Sequence, residues 1–287
     1  MKAEFASDAP NPFLPEGRRK SYADLAPEVY QLYVVLHELY GHPTGKMLFH
    51  DSKVASATHL PVNPLTSAPV TTWYEPSQTF TGIFAGIATT VDECRCELVA
   101  AFLMDDDTLL SALGYGLPER PVPADILCVL YEQIGVDGLV ALDNYHPDDQ
   151  TWGSAHAQAH WAMLVWLLRH GNGVLSIECD EASSQLFVRV NGSKTSTCGT
   201  PALSRMLLHL HMYRCTADVA GCRSFYSDLS TVTSKEDLVW LNIVKTNVPP
   251  KKRFVQPNIV EENGELVLRT YEATNNGVIQ SWYDRNL

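Results

Sequence analysis

Basic residues are scarce in this chain. Its 21 Lys and Arg stand against 33 Asp and Glu, a formal charge of −12 over 287 residues. Binding a phosphate backbone draws on clustered cations. The one dense basic run, Lys251-Lys252-Arg253, is too short for such a stripe, so no nucleic-acid partner is expected. Long apolar runs are missing too. No window approaches the 18 or so consecutive apolar residues of a membrane span, and none is expected. Met1 to Lys20 is polar and Pro-rich, with no apolar h-region that would read as a secretory signal. Paired C-x-x-C motifs are absent, and the seven cysteines are odd in number. That usage fits reduced thiols and a cytoplasmic location.

What is present has the balance of a globular protein: 45% apolar and 19% charged residues. Residues 1 to 20 read as a disordered lead-in. From Ser21 to His42 the positions Leu25, Val29, Leu32, Leu36 and Leu39 recur at three and four, the helical period. Pro43 and Gly45 stop that helix, and residues 43 to 80 read as a long irregular connection. Further helices are expected over Ile83 to Leu113 with a break at Asp105-Asp106-Asp107, over Ala124 to Asn144 interrupted near Gly135 or Gly138, and over Trp152 to His170. Val174 to Cys179 and Gln185 to Val190 read as strands. Pro201 to Ala220 and Lys235 to Val244 return to helix. Phe254 to Tyr283 alternates and carries Asn263-Gly264 and Asn276-Gly277, which predicts a β-meander. The expected class is mainly α (α+β): a helical lobe over 21–250 with a short β-hairpin inside it, then a β segment over 251–287.

The sharpest chemical feature is His37-Glu38-Leu39-Tyr40-Gly41-His42. Two imidazoles on one helix with a carboxylate beside the first form half of a zinc hydrolase site. The imidazoles would hold Zn²⁺, and Glu38 would take a proton from the water on it. In the common H-E-x-x-H spacing the two histidines lie about 40° apart around the helix; five residues apart they lie about 140° apart. Both reach one metal only if the helix widens by a π-type bulge, a distortion found at functional sites. Gly41 lowers its steric cost. The plainer alternative is a core helix with two ordinary histidines. A third ligand would decide between them. Asp92-Glu93-Cys94-Arg95-Cys96-Glu97 lies on a second expected helix, where Glu93 and Glu97 share a face. One carboxylate can bind metal while the other orients a ligand histidine. Alternatively the run is a solvated acidic face partnered by Arg95. His156 and His160 are another i, i+4 pair that could bind metal, although the simpler reading makes one of them a surface residue. His209 and His211 read as structural.

Together, H-E-L-Y-G-H and D-E-C-R-C-E resemble the two signatures of the dipeptidyl peptidase III family of zinc metallopeptidases, H-E-x-x-G-H and E-E-C-R-A-E. Thr72-Trp73-Tyr74, Ala155-His156-x-Gln158-Ala159, Asp218-Val219-Ala220-Gly221 and Val255-Gln256-Pro257-Asn258 extend the similarity over most of the chain. The resemblance implies one zinc ion held by His37, His42 and Glu93, with Glu38 as general base and Glu97 as the carboxylate behind the ligands. It implies that His156 contacts the substrate backbone, and that Lys251 and Lys252 lie near the substrate's carboxyl end. The implied reaction is release of N-terminal dipeptides from oligopeptides.

Departures cluster around the substrate rather than the metal. Pro43-Thr44-Gly45 replaces Gly-Ser-Gly, His160 replaces an Arg, Asp92 replaces Glu, and Cys96 replaces a smaller residue. A Trp-Asp pair becomes Phe80-Thr81. Family members are much longer, and their zinc motif lies past the middle of the chain. The lobe preceding it, which holds the substrate's amino terminus, has no counterpart here. A non-catalytic zinc- or peptide-binding relative is therefore the alternative. The C-terminal β segment, with no such lobe to pack on, is expected to expose apolar surface and to self-associate.

Overall fold

The computed structural model describes residues 11–50, 60–248 and 255–285. The chain divides into two compact units, Met1–Val248 and Pro249–Leu287. Lys251, Lys252 and Phe254 lie outside the described residues. No helix among the described residues is long and apolar enough to cross a membrane.

The first unit is built on helices. They are α1 (Glu16–Leu36), α2 (Phe80–Phe84), α3 (Ala88–Leu103), α4 (Asp107–Ala112), α5 (Pro123–Val140), α6 (Ala155–His170), α7 (Thr200–Thr216), α8 (Val219–Ser230) and α9 (Lys235–Asn247). Two short antiparallel pairs punctuate the loops: β1 (Val62–Asn63) with β2 (Ala68–Pro69), and β3 (Tyr145–His146) with β4 (Thr151–Trp152). The internal hairpin pairs β5 (Leu175–Asp180) with β6 (Gln185–Val190), with Leu175 opposite Val190 and Asp180 opposite Gln185. α3 runs through the middle, packed against α6, α7 and the end of α1, while α5 covers α1 and α6. Leu98, Tyr131 and Trp161 are among the side chains that fill this core.

Two local readings change. The expected disordered lead-in is already folded within residues 11–20. Phe13 and Leu14 are buried, Val188 N–H donates to the Phe13 carbonyl at 2.8 Å, and α1 starts at Glu16, ahead of Ser21. Arg18 adds an ion pair to buried Glu132 at 2.6 Å, which holds the start of α1 in place. α5 runs straight through Gly135 and Gly138. Those glycines serve close packing, not interruption: a Cβ at Gly135 would lie 2.5 Å from Val188 Cγ1, and one at Gly138 would lie 2.5 Å from Leu164 Cβ. The break at Asp105-Asp106-Asp107 is present, and Asp106 caps α4 by accepting from Leu109 N–H.

In the second unit, β7 (Asn258–Glu262) pairs with β8 (Glu265–Arg269) around Asn263 and Gly264, both at positive φ. The expected third strand of the meander is instead a helix, α10 (Asn275–Arg285). Thr274 explains the difference: its Oγ1 accepts from Gly277 N–H at 3.1 Å, as an N-cap does. Asn276-Gly277 therefore opens a helix rather than a hairpin turn.

Candidate metal and catalytic site

The end of α1 is where the five-residue spacing acts. Over His37–Gly41 the helix widens into a π turn, and His42 N–H donates to the His37 carbonyl at 3.3 Å. The two imidazoles are brought to one side, with ring centroids 5.0 Å apart. Gly41 is required by contact with α3. A Cβ there would lie 2.7 Å from Cys96 Cβ and 2.9 Å from Cys96 Cα, and the latter is backbone that cannot step aside.

α3 presents three carboxylates to these rings. Glu93 Oε2 lies 3.2 Å from His37 Nε2, 3.8 Å from His42 Nε2 and 3.6 Å from His156 Nδ1. The other ring nitrogens face different acids: His37 Nδ1 lies 3.5 Å from Glu97, and His42 Nδ1 lies 3.4 Å from Asp92. Each imidazole thus turns Nε2 inward and is held from behind by a carboxylate. Ligand histidines are oriented in this way.

Glu97 is the hub. It is buried; His160 hydrogen-bonds with it, and the rings of His37 and His156 stand beside it. His160 Nε2 is 3.3 Å from Glu97 Oε1, and His156 Nδ1 is 3.8 Å away. Burial works against the Glu97 charge, but the three imidazoles outweigh it and hold its carboxyl well below the usual carboxylate range. His160 shows the reciprocal effect. Burial disfavours its charged form, yet Glu97 and then Asp137 raise it to about 9. His37 is raised in the same way: burial opposes charge, and Glu97, Glu93 and Glu38 overcome it.

Sequence reasoning missed the frame behind this face. Arg95 is fully buried rather than a surface partner. It donates to Asp92 Oδ1, to the Gly41 carbonyl at 2.9 Å and to Thr44 Oγ1 at 3.1 Å. Arg214 approaches the same Asp92 oxygen at 3.0 Å. The acid behind His42 is thereby clamped from two sides, and the π turn is tied to α3. The relevant sequence cue was Arg95 three residues after Asp92 on a mostly apolar helix. His160 faces inward as well. Both it and His156 project from α6 toward the carboxylates, although His156 stays more than half exposed at 57%. Glu38 is exposed beside His37.

Chemically, this donor set fits a divalent metal ion. The deciding atom is Glu93 Oε2, which is buried, faces two imidazole nitrogens and has no hydrogen-bond partner. A buried carboxylate oxygen in that state is costly unless a cation completes it. Cys96 Sγ also lies within 4.8 Å of donor atoms of His37 and His42. It is the weaker candidate, because it contacts His42 Nδ1, the nitrogen facing Asp92, at 3.4 Å.

Comparison with known proteins places the chain in a family. The model of peptidase family M49 matches residues 1–286. The chain belongs to peptidase family M49. Dipeptidyl peptidase 3 of Homo sapiens is 33% identical over 281 residues, covering 95% of this chain and 38% of the relative. Dipeptidyl peptidase 3 of Dictyostelium discoideum is 28% identical, over 95% of this chain and 40% of its own length. The chain thus spans well under half of these relatives. Among solved structures, dipeptidyl-peptidase III from Corallococcus sp. strain EGB superposes with a TM-score of 0.53 at 11% identity, over 82% of this chain and 33% of that one. DPP III from Caldithrix abyssi gives 0.50 at 12%, over 82% and 35%. At those identities the structures speak for the fold.

Proposed function

We propose that this M49 chain is the catalytic, zinc-binding part of a peptidase that releases dipeptides from the amino ends of oligopeptides. The observation that carries the reading is the partnerless Glu93 Oε2 set between His37 Nε2 and His42 Nε2. His37, His42 and Glu93 would hold Zn²⁺, a set of two imidazoles and a carboxylate that suits catalytic zinc. When bound, zinc polarises a carbonyl and eases deprotonation of water. The residues supply the rest. Glu38, exposed beside His37, takes the proton from the attacking water and passes it to the leaving amine. Glu97 and Asp92 keep the imidazoles neutral at Nε2 and fixed in orientation. His156, the most open of the cluster, donates to the substrate's backbone carbonyl as charge develops there. Dipeptide release follows the names of the dipeptidyl peptidase relatives and zinc follows the resemblance of the two motifs to zinc metallopeptidases; the geometry supports a metal site.

The test pairs a metal determination with an assay on a dipeptidyl arylamide. Wild-type protein should bind one zinc per chain and turn over. Glu38→Gln should keep the zinc and lose about 10²–10⁴-fold in rate, the usual weight of a general base. Full zinc with no wild-type turnover would sink the catalytic reading, and unchanged Glu38→Gln activity would sink the role of Glu38.

A further inference from the structure

Beside Glu97 lies a small internal cavity lined by Tyr33, Gln133, Asp137 and His160 together with three apolar side chains. Its volume, taken at the centre of a water-sized sphere, is about 10 Å³. That is the lower limit for holding one water molecule. The polar lining is incomplete. Gln133 is only 5% exposed, and its Oε1 has no hydrogen-bond partner. Asp137 lines the same cavity, and burial raises its carboxyl against the opposing pull of His160. His160 commits Nε2 to Glu97, which leaves its Nδ1 without use in the cluster. An orphaned buried acceptor costs about 1–3 kcal/mol. One water with three partners would remove that cost.

We propose that this cavity holds one ordered water bound by Gln133 Oε1, the Asp137 carboxyl and His160 Nδ1, making His160 a positioning residue that fixes Glu97 behind His37. The water accepts from His160 Nδ1–H and donates to Gln133 and to Asp137. The chain Asp137, water, His160, Glu97, His37 is then continuous. The inference goes beyond the proposed activity and holds in protein without metal.

A crystal structure of the full chain prepared metal-free, at a resolution that shows ordered water, is the direct test. One density peak is expected within about 3.2 Å of all three groups. A dry cavity overturns the proposal. The positioning role is read separately by nitrogen-edited NMR of the His160 ring and by zinc retention against a chelator. Asp137→Asn keeps a hydrogen-bonding group, so it should preserve the His160 Nδ1–H signal and hold zinc within about 2-fold of wild type. Asp137→Leu should weaken the His160 Nδ1–H signal and release zinc roughly 10-fold more readily, the low end of effects from groups behind metal ligands. If that variant does not fold, Gln133→Leu, which removes the orphaned acceptor, should give the same two shifts. An unchanged His160 signal and unchanged zinc retention in the folded leucine variants would overturn the positioning role.

Discussion

In the helical unit, Leu98, Tyr131 and Trp161 are at most 1% exposed, and an arginine as deep as Arg95 is completely enclosed. In the C-terminal unit, the buried described residues are Asn258, Gly277 and Ser281, while Ile259, Leu266 and Leu268 are 61–78% exposed. The two units thus place polar and apolar groups in opposite ways. The first uses burial to make charges matter: Glu97 and Glu93 sit where solvent screens them little, so three histidines and an ion can be organised around them. The second ties its polar face to a helix, with Asn258 Nδ2 donating to the Ser281 carbonyl at 2.7 Å, and turns its apolar face outward. A two-stranded hairpin with that arrangement has little to stabilise it alone.

The largest effect that would sharpen the contrast is expected at Arg95. Arg95→Leu leaves Asp92 and the Gly41 carbonyl without their central partner and unties the π turn from α3. Breaking a buried ion pair by removing one partner costs about 3–5 kcal/mol. Urea denaturation should register it in the fluorescence of Trp161, Trp166 and Trp240, and zinc retention should fall with it. A loss below about 1 kcal/mol would show that Arg214 alone suffices. Next is Leu98→Ala, a cavity in the centre of α3, expected to cost about 2–5 kcal/mol on the same denaturation curve.

Zinc itself should come third. At about 100-fold above its dissociation constant a ligand that binds only the folded state adds about 2.7 kcal/mol. For a unit of this size that raises the melting temperature by roughly 5–10 °C. Scanning calorimetry with and without zinc reads it directly. Glu93→Gln should abolish most of the shift, whereas Cys96→Ser should keep it. The reverse result would transfer the third ligand from Glu93 to Cys96.

The sequence made the site legible unevenly, for physical reasons. A five-residue histidine spacing leaves few solutions, so the π turn and the convergence of His37 with His42 could be reasoned from helix geometry. Glu93 and Glu97 were readable as a pair because i, i+4 positions share a face. Arg95 was not, because burial of a charge depends on acceptors brought from elsewhere in the chain: Gly41 and Thr44. Gly135 and Gly138 misled for the same reason, since their partners Val188 and Leu164 are distant in sequence. Asn276-Gly277 misled locally, because Thr274 turns a hairpin-like dipeptide into the first turn of α10.

The smallest effect in energy tests the other side of the comparison. Successive residues of a strand face opposite ways, so Ile259 and its cross-strand partner Leu268 share a face with Leu266, while Asn258 lies on the face that holds α10. A charge placed on the outward face meets water, not a neighbour. Leu268→Lys should therefore change stability by no more than about 0.5 kcal/mol, the usual range for surface substitutions. Its consequence should lie in association. An exposed apolar strand face and the open edges of a two-stranded sheet invite pairing with another chain. The full-length protein is expected to self-associate with rising concentration in light scattering, and Leu268→Lys to shift that onset upward by several-fold. A monodisperse wild-type monomer whose β7 and β8 amides resist hydrogen exchange would break the comparison, because the face would then be covered within the molecule. In that case Leu268→Lys should lose stability as a core substitution does, by well over 1 kcal/mol.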